Sequence, residues 1–184
     1  MRWKLFRWNW FRWILFHWIL VFAALGYSAA SIAEDGDAIT YTPYTENQKI
    51  VFEFYFDHPE KINTALYWLK AVFTTLGNEP YGYPPDFFDI KVVIHGTEIA
   101  ALAKKNYYLY SEAVERMRYY SEFGVEFKVC SLSAHEFGYS KSDLPDFVEL
   151  IPSAVTELVH WQSQGYALVV PKVWEKKYSL EEIR

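Results

Sequence analysis

The sequence predicts an α/β fold, a three-layer sandwich around a five-stranded, mainly parallel sheet. Three observations predict it: five short β-rich segments recur along the chain, apolar residues at helical spacing stand between them, and Gly or Pro marks the breaks. Strands that alternate with helices need crossover connections, which are right-handed in a parallel sheet and place helices over both of its faces.

Taken in order, Ile50-Val-Phe-Glu-Phe-Tyr-Phe56 is largely apolar and rich in β-formers, as a strand covered on both faces is. After Asp57-His58-Pro59, residues Ile62, Ala65, Leu66, Leu69, Val72, Phe73 and Leu76 fall at helical spacing, with Gly77 as the stop. A loop with Pro80, Gly82, Pro84 and Pro85 leads to a second strand, Ile90 to Ile94, closed by His95-Gly96. Thr97 is placed to cap a helix that breaks near Asn106, so a short helix and a long one precede Gly124. Val125 to Cys130 alternates as a third strand with the thiol at its C-terminal end, and Ser131 to Ser140 reads as a loop. After a turn at Asp143 to Asp146 come a fourth strand, Val148 to Ile151, and a helix capped by Ser153. Gly165 stops that helix, and Tyr166 to Val170 forms the fifth strand, closed by Pro171. No internal repeat, heptad or low-complexity segment is present.

The chain has 184 residues, 52% of them apolar, which supports one domain with a real core and excludes a disordered or fibrous protein. Aromatic residues are unusually dense at 20%. The first 33 residues hold Arg2, Lys4, Arg7 and Arg12 and no acid, leaving 14 basic against 23 acidic residues in the rest. Nucleic acid is therefore not an expected partner, because phosphate binding needs clustered cations. A single cysteine, Cys130, excludes an intramolecular disulfide.

The same N-terminal segment has the layout of a secretory signal peptide: a basic start, an apolar run from Ile14 to Leu25, and small residues Ser31 and Ala33 at a cleavage position. An uncleaved anchor is the competing reading, since Trp13 to Ala33 is interrupted only by His17 and small polar residues. Either way the expectation is an exported, periplasmic protein that meets the membrane only through its N-terminus. The expected division is 1–33 signal segment, 34–47 linker or arm, 48–172 folded domain and 173–184 C-terminal tail.

In an open parallel sheet, ligands sit outside the carboxyl ends of the strands. His58 follows the first strand, His95 ends the second, and Cys130 ends the third with His135 close behind. A thiolate there, stabilised by a helix N-terminus or an imidazolium, is a nucleophile; the other reading of Cys130 is an inert core residue. Taken singly, each histidine also fits a structural or solvated role. Cys130 with His135 and His95 or His58 offers sulfur and imidazole ligands of the kind copper and zinc accept, but C-x-x-C and H-E-x-x-H are both missing. Dinucleotide fingerprint, P-loop and G-x-S-x-G elbow are missing too, and no cofactor is expected.

Several strings in fixed order carry a family likeness. His95-Gly-Thr-Glu-Ile, Asn106-Tyr, Gly124-Val-Glu-Phe-Lys-Val-Cys130, Gly138-Tyr with Asp143-Leu, Val148-Glu-Leu-Ile-Pro152, Trp161-Gln and Gln164-Gly-Tyr-Ala-Leu-Val-Val-Pro171 together resemble the DsrE/DsrF-like family over about residues 48–172. The resemblance implies a small parallel α/β fold that assembles as a homo-oligomer, a trimer or hexamer. In sulfur-relay members it implies a cysteine that carries a persulfide between donor and acceptor proteins or small thiols, and Cys130 stands at the matching position. The expectation is a sulfurtransferase or sulfur carrier acting through Cys130, with His95 and His135 tuning the thiol or moving a proton, and Asn106 and His58 as polar contacts. Two departures qualify it: the best-known relay members are cytoplasmic, and some family members lack the cysteine. The alternatives are a metal- or small-ligand-binding module at the same edge, or a structural oligomer contacting its partners through Tyr107, Tyr108, Tyr110, Tyr119 and Tyr120.

Overall fold

A computed structural model describes residues 39–44 and 47–184. Residues 39–44 have no regular secondary structure, and residues 1–33, for which a signal segment is expected, lie outside the described residues. The folded unit begins after Tyr44. Its strands are β1 (Gln48–Phe54), β2 (Phe88–Ile94), β3 (Glu126–Cys130), β4 (Val148–Ile151) and β5 (Ala167–Val169). Its helices are α1 (Lys61–Gly77), α2 (Ile99–Leu102), α3 (Tyr107–Glu122), α4 (Ser131–Glu136), α5 (Ala154–Ser163) and α6 (Leu180–Ile183). Among the described residues no helix is long and apolar enough to cross a membrane.

The sheet is parallel throughout, in the order β4-β3-β2-β1-β5. From β1 to β4 the chain steps steadily one way; after β4 it returns across the sheet to add β5 on the far side of β1. Right-handed crossovers put connections that step in opposite directions on opposite faces. The core divides accordingly. Phe52, Phe54, Ile90, Val92, Ile94, Phe127 and Val129 pack with Ile62, Leu66 and Leu69 of α1 and Ala113 and Met117 of α3. The alternate residues Val51, Val93, Cys130 and Ile151 pack with Ala154 and Leu158 of α5.

The α5 face is the more polar one toward the N-terminal ends of the strands, where Lys91 and Lys128 are each 6% exposed. Asp89 lies 2.8 Å from the Lys91 ammonium and Glu126 also pairs with it, while Lys128 meets Glu126 at 3.0 Å and Glu149 at 2.5 Å. Burial pushes both ammonium groups down, but these carboxylates more than offset it and hold both above their ordinary value.

The strand ends shift by one or two residues from the sequence reading, β1 most clearly, as Gln48–Phe54 rather than Ile50–Phe56, and two local readings differ in kind. Ser131 to Glu136 is a helix rather than loop, because no Gly or Pro interrupts it before Gly138, whose φ of +75° ends it. Thr97 does not cap α2: its hydroxyl donates to the carbonyl of Phe56 at 2.9 Å, and Glu98 occupies the N-cap position. The break expected near Asn106 is a single 3-10 turn, Lys104–Asn106.

Glu98 is a structural feature the sequence reading passed over. It is fully buried, its Oε1 accepting the Gly96 N–H at 2.8 Å and its Oε2 the Phe56 N–H at 3.0 Å, so it clips the exit of β1 to the exit of β2. Gly96 makes this approach possible, since a Cβ there would lie 2.5 Å from Glu98 Oε2 and 2.6 Å from the Phe56 nitrogen. Burial raises the Glu98 carboxyl from 4.5 to about 7, although the backbone N–H groups of Gly96 and Phe56 pull it back. A raised carboxyl pKa favours the folded state where the group is protonated. Its contribution is full below the ordinary value of 4.5 and is lost as pH rises through about 7. Denaturant melts at several pH values, compared with Glu98→Gln, test this: wild type gains up to about 3 kcal/mol relative to the variant as pH falls across that window.

Candidate functional site

The connections after β1, β2 and β3 pack on one face of the sheet, the last through Ala134 and Leu144, whereas α5 after β4 packs on the other, so the topological switch point lies at the exits of β3 and β4, where Cys130 stands. A cavity of about 780 Å³ lies beside it. Its walls come from the exits of four strands: Tyr55 to Asp57 after β1, His95 to Thr97 after β2, Ser133 and Phe137 after β3, and Pro171 to Trp174 after β5. The volume falls within the range of small-molecule sites.

Cys130 stands beside this cavity without lining it. It is the last residue of β3 and the N-cap of α4, on the α5 face, and is 4% exposed. Burial pushes its thiol up, but the N–H groups of Ser133, Ala154 and Leu132 and the Ser133 hydroxyl converge on the sulfur. The donors prevail, and the thiol lies below its ordinary value. Two helix starts supply them, α4 after β3 and α5 after β4, brought together because Cys130 and Ile151 are register partners. Ser133 both touches the thiol and lines the cavity, so it stands between the two.

His95 also lines the cavity. Its ring stacks on Tyr55 with centroids 4.6 Å apart, and its Nε2 lies 3.0 Å from Glu53 Oε1. The other three site residues read from sequence lie elsewhere and do not line this cavity. His135 is exposed in the last turn of α4. His58 is exposed in the turn after β1 and accepts the N–H of Glu60 at 3.3 Å. Asn106 donates to the Ala100 carbonyl at 2.8 Å and to the Tyr139 hydroxyl at 3.4 Å, fastening the corner before α3. Among the described residues no three His, Cys, Asp or Glu side chains converge as a metal-binding group. The copper or zinc alternative therefore gains nothing from the geometry.

The sequence reading missed Glu53, Ser133 and the backbone of Ala154. Glu53 was legible in principle, as an acid in the penultimate position of β1, inside the apolar run Ile50 to Phe54. Ala154 was not, because its contribution is a peptide N–H that only the β3–β4 pairing aims at the sulfur.

The model of the DsrE/DsrF-like family matches residues 39–171, well over half of the chain. The chain belongs to the DsrE/DsrF-like family. Among solved structures it is similar to a protein of unknown function, MTH1491, from Methanobacterium thermoautotrophicum, with 22% identity and a TM-score of 0.55 over 68% of this chain and all of that one. A conserved protein of unknown function, BT1422, from Bacteroides thetaiotaomicron aligns at 11% identity and a TM-score of 0.47, over 67% of this chain and 95% of that one. No curated protein matches it. The first likeness bears out the α/β fold with its five-stranded parallel sheet, and membership of the DsrE/DsrF-like family points to a sulfur-relay-related role.

Ser133→Ala removes one hydrogen bond to the thiolate and leaves the backbone donors in place. Its iodoacetamide alkylation curve against pH moves upward and the rate near neutrality falls about threefold to tenfold, with little change in melting temperature.

Proposed function

We propose that this protein takes up sulfane sulfur as a Cys130 persulfide and passes it to an acceptor thiol. The observation that carries the reading is the thiol held below its ordinary value by converging N–H donors at the switch point, with Ser133 between it and the cavity. Family membership is the second support. In the forward step the Cys130 sulfur attacks the outer sulfur of a persulfide or polysulfide, a new S–S bond forms, and the donor departs as a thiol or shorter polysulfide. Passing the sulfur on reverses the step with the acceptor thiol as nucleophile. The sulfane sulfur moves from one S–S bond to another, so no external oxidant or reductant is needed. Donors and acceptors are small thiols or proteins that present one at the cavity mouth.

Export through residues 1–33 belongs to the same proposal and rests on their basic, apolar and small-residue layout. So does assembly as a trimer or hexamer. Its support is the apolar surface left open in the single chain: Val155 and Val159 on α5 are 66% and 62% exposed, Leu132 is 65% exposed, and Tyr108 on α3 is 77% exposed.

Two measurements check these readings. Intact mass after anaerobic incubation with polysulfide gains about 32 Da, or a multiple, reversibly with reductant in wild type and not in Cys130→Ser. Equal sulfur uptake by the variant removes Cys130 from the reaction. Light scattering on the mature protein gives the mass of a trimer or hexamer, and a monomer at micromolar concentration rules out that assembly.

A further inference from the structure

Three adjacent strands end, on the α5 face, in side chains able to handle a proton: Glu53 on β1, His95 just after β2, and Cys130 on β3. Their shared face follows from the pleat. Val51 and Val93 lie two residues before Glu53 and His95 and belong to the cluster that contains Cys130. Ile94 is the register partner of Val129, so the next position along sets His95 beside Cys130 at the strand spacing of about 4.8 Å. On its other side His95 meets Glu53 through the 3.0 Å contact. Both side chains are sheltered, His95 16% and Glu53 24% exposed. An acceptor carboxylate at Nε2 makes that nitrogen the protonated one and leaves Nδ1 free to take a proton.

The other charged groups around the ring do not substitute for Glu53. Asp57 and Lys61 line the same cavity and pair with each other at 2.6 Å, while Glu136 and Lys172 line it with opposite charges. Glu98 is turned onto the amides of Gly96 and Phe56, and Tyr55 contributes a stacked ring. Glu53 is the charge in direct contact with the imidazole.

We propose that Glu53 is a positioning residue for sulfur transfer: it holds His95 as the group that takes the Cys130 proton and returns it to the departing thiol. This rests on the sulfur-carrier reading above. As Sγ attacks the outer sulfur of R–S–S–H, its proton passes to His95 Nδ1. The Sγ–S bond forms, the donor S–S bond breaks with its electron pair on R–S⁻, and the imidazolium protonates that leaving group. Cys130–SH and R–S–S–H become Cys130–S–S–H and R–SH, with atoms, charge and electrons balanced. The Glu53 carboxylate stabilises the imidazolium between the two proton transfers.

Rapid-quench mass spectrometry of Cys130 loading from inorganic polysulfide, between about pH 6 and pH 9, tests this. Glu53→Gln keeps an acceptor for the ring but removes the charge. It is expected to reach the same final load about tenfold or more slowly, with the fall in rate displaced along the pH axis. His95→Asn is expected to be equally slow, and Glu53→Gln to add nothing in that background, because Glu53 acts through His95. Unchanged melting temperature, and one reactive thiol per chain counted with a disulfide reagent after unfolding, show that each variant is folded with its thiol intact. Loading of Glu53→Gln at the wild-type rate, a loss that is uniform at every pH, or independent losses in the double variant each overturn the role of Glu53 alone. Failure of the wild type to load overturns the carrier reading and this proposal with it.

Discussion

Everything at the site depends on the change of direction after β4. Had the chain continued outward, its last helix would share a face with α1 and α3, and β1 would form an edge of the sheet. Instead α5 crosses back over the opposite face, and β5 closes the far side of β1. That return adds β5, whose exit at Pro171 to Trp174 supplies one wall of the cavity. It also brings the start of α5 over the end of β3, where the Ala154 N–H finds the Cys130 sulfur. The cavity and the stabilised thiol are two results of one topological event.

Beyond the ends of β1 and β2 only two ladder hydrogen bonds continue, from the His95 N–H to the Phe54 carbonyl at 3.1 Å and from the Thr97 N–H to the Phe56 carbonyl at 3.0 Å. Glu98 reinforces them by accepting one N–H from each of the two adjacent strand exits, with the Thr97 hydroxyl adding a bond to the Phe56 carbonyl. A buried carboxylate is an expensive fastener, since desolvation raises its pKa to about 7. Its advantage is rigidity: a side chain spanning two loops fixes Tyr55, His95 and the cavity wall between them as one body. Gly96 is required by the same arrangement, so the His95-Gly-Thr-Glu98 string is a structural unit whose first three residues line the cavity while Glu98 is buried behind them.

Much of this was legible in the sequence because periodicity reports burial. Alternation through Val125 to Cys130 told which residues of β3 share a face, and the run through Ile62 and Leu76 marked the buried stripe of α1. The placement of Cys130 and His95 at strand ends followed from those boundaries. What escaped depends on pairing. Nothing local in β1 says that Glu53 will lie beside His95, because that contact is made by the β1–β2 register, in which Phe54 pairs with Ile94. Asn106 shows the opposite failure: a polar residue expected near the ligand is held by a helix corner, which single-sequence spacing cannot distinguish from a site.

The low exposure of Cys130 sets a condition on any chemistry there. The thiolate is held by N–H donors and lies behind Ser133, where bulky oxidants reach it poorly. Sulfur added to it stands one S–S bond, about 2 Å, farther out. Loading would thus convert a recessed nucleophile into a reactive atom closer to the cavity, where an acceptor thiol can approach. Removal of that atom would return the thiolate to its shelter. On the proposed carrier role, burial would protect the empty thiol while the cargo itself would supply the reach, so a nearly inaccessible cysteine is compatible with transfer.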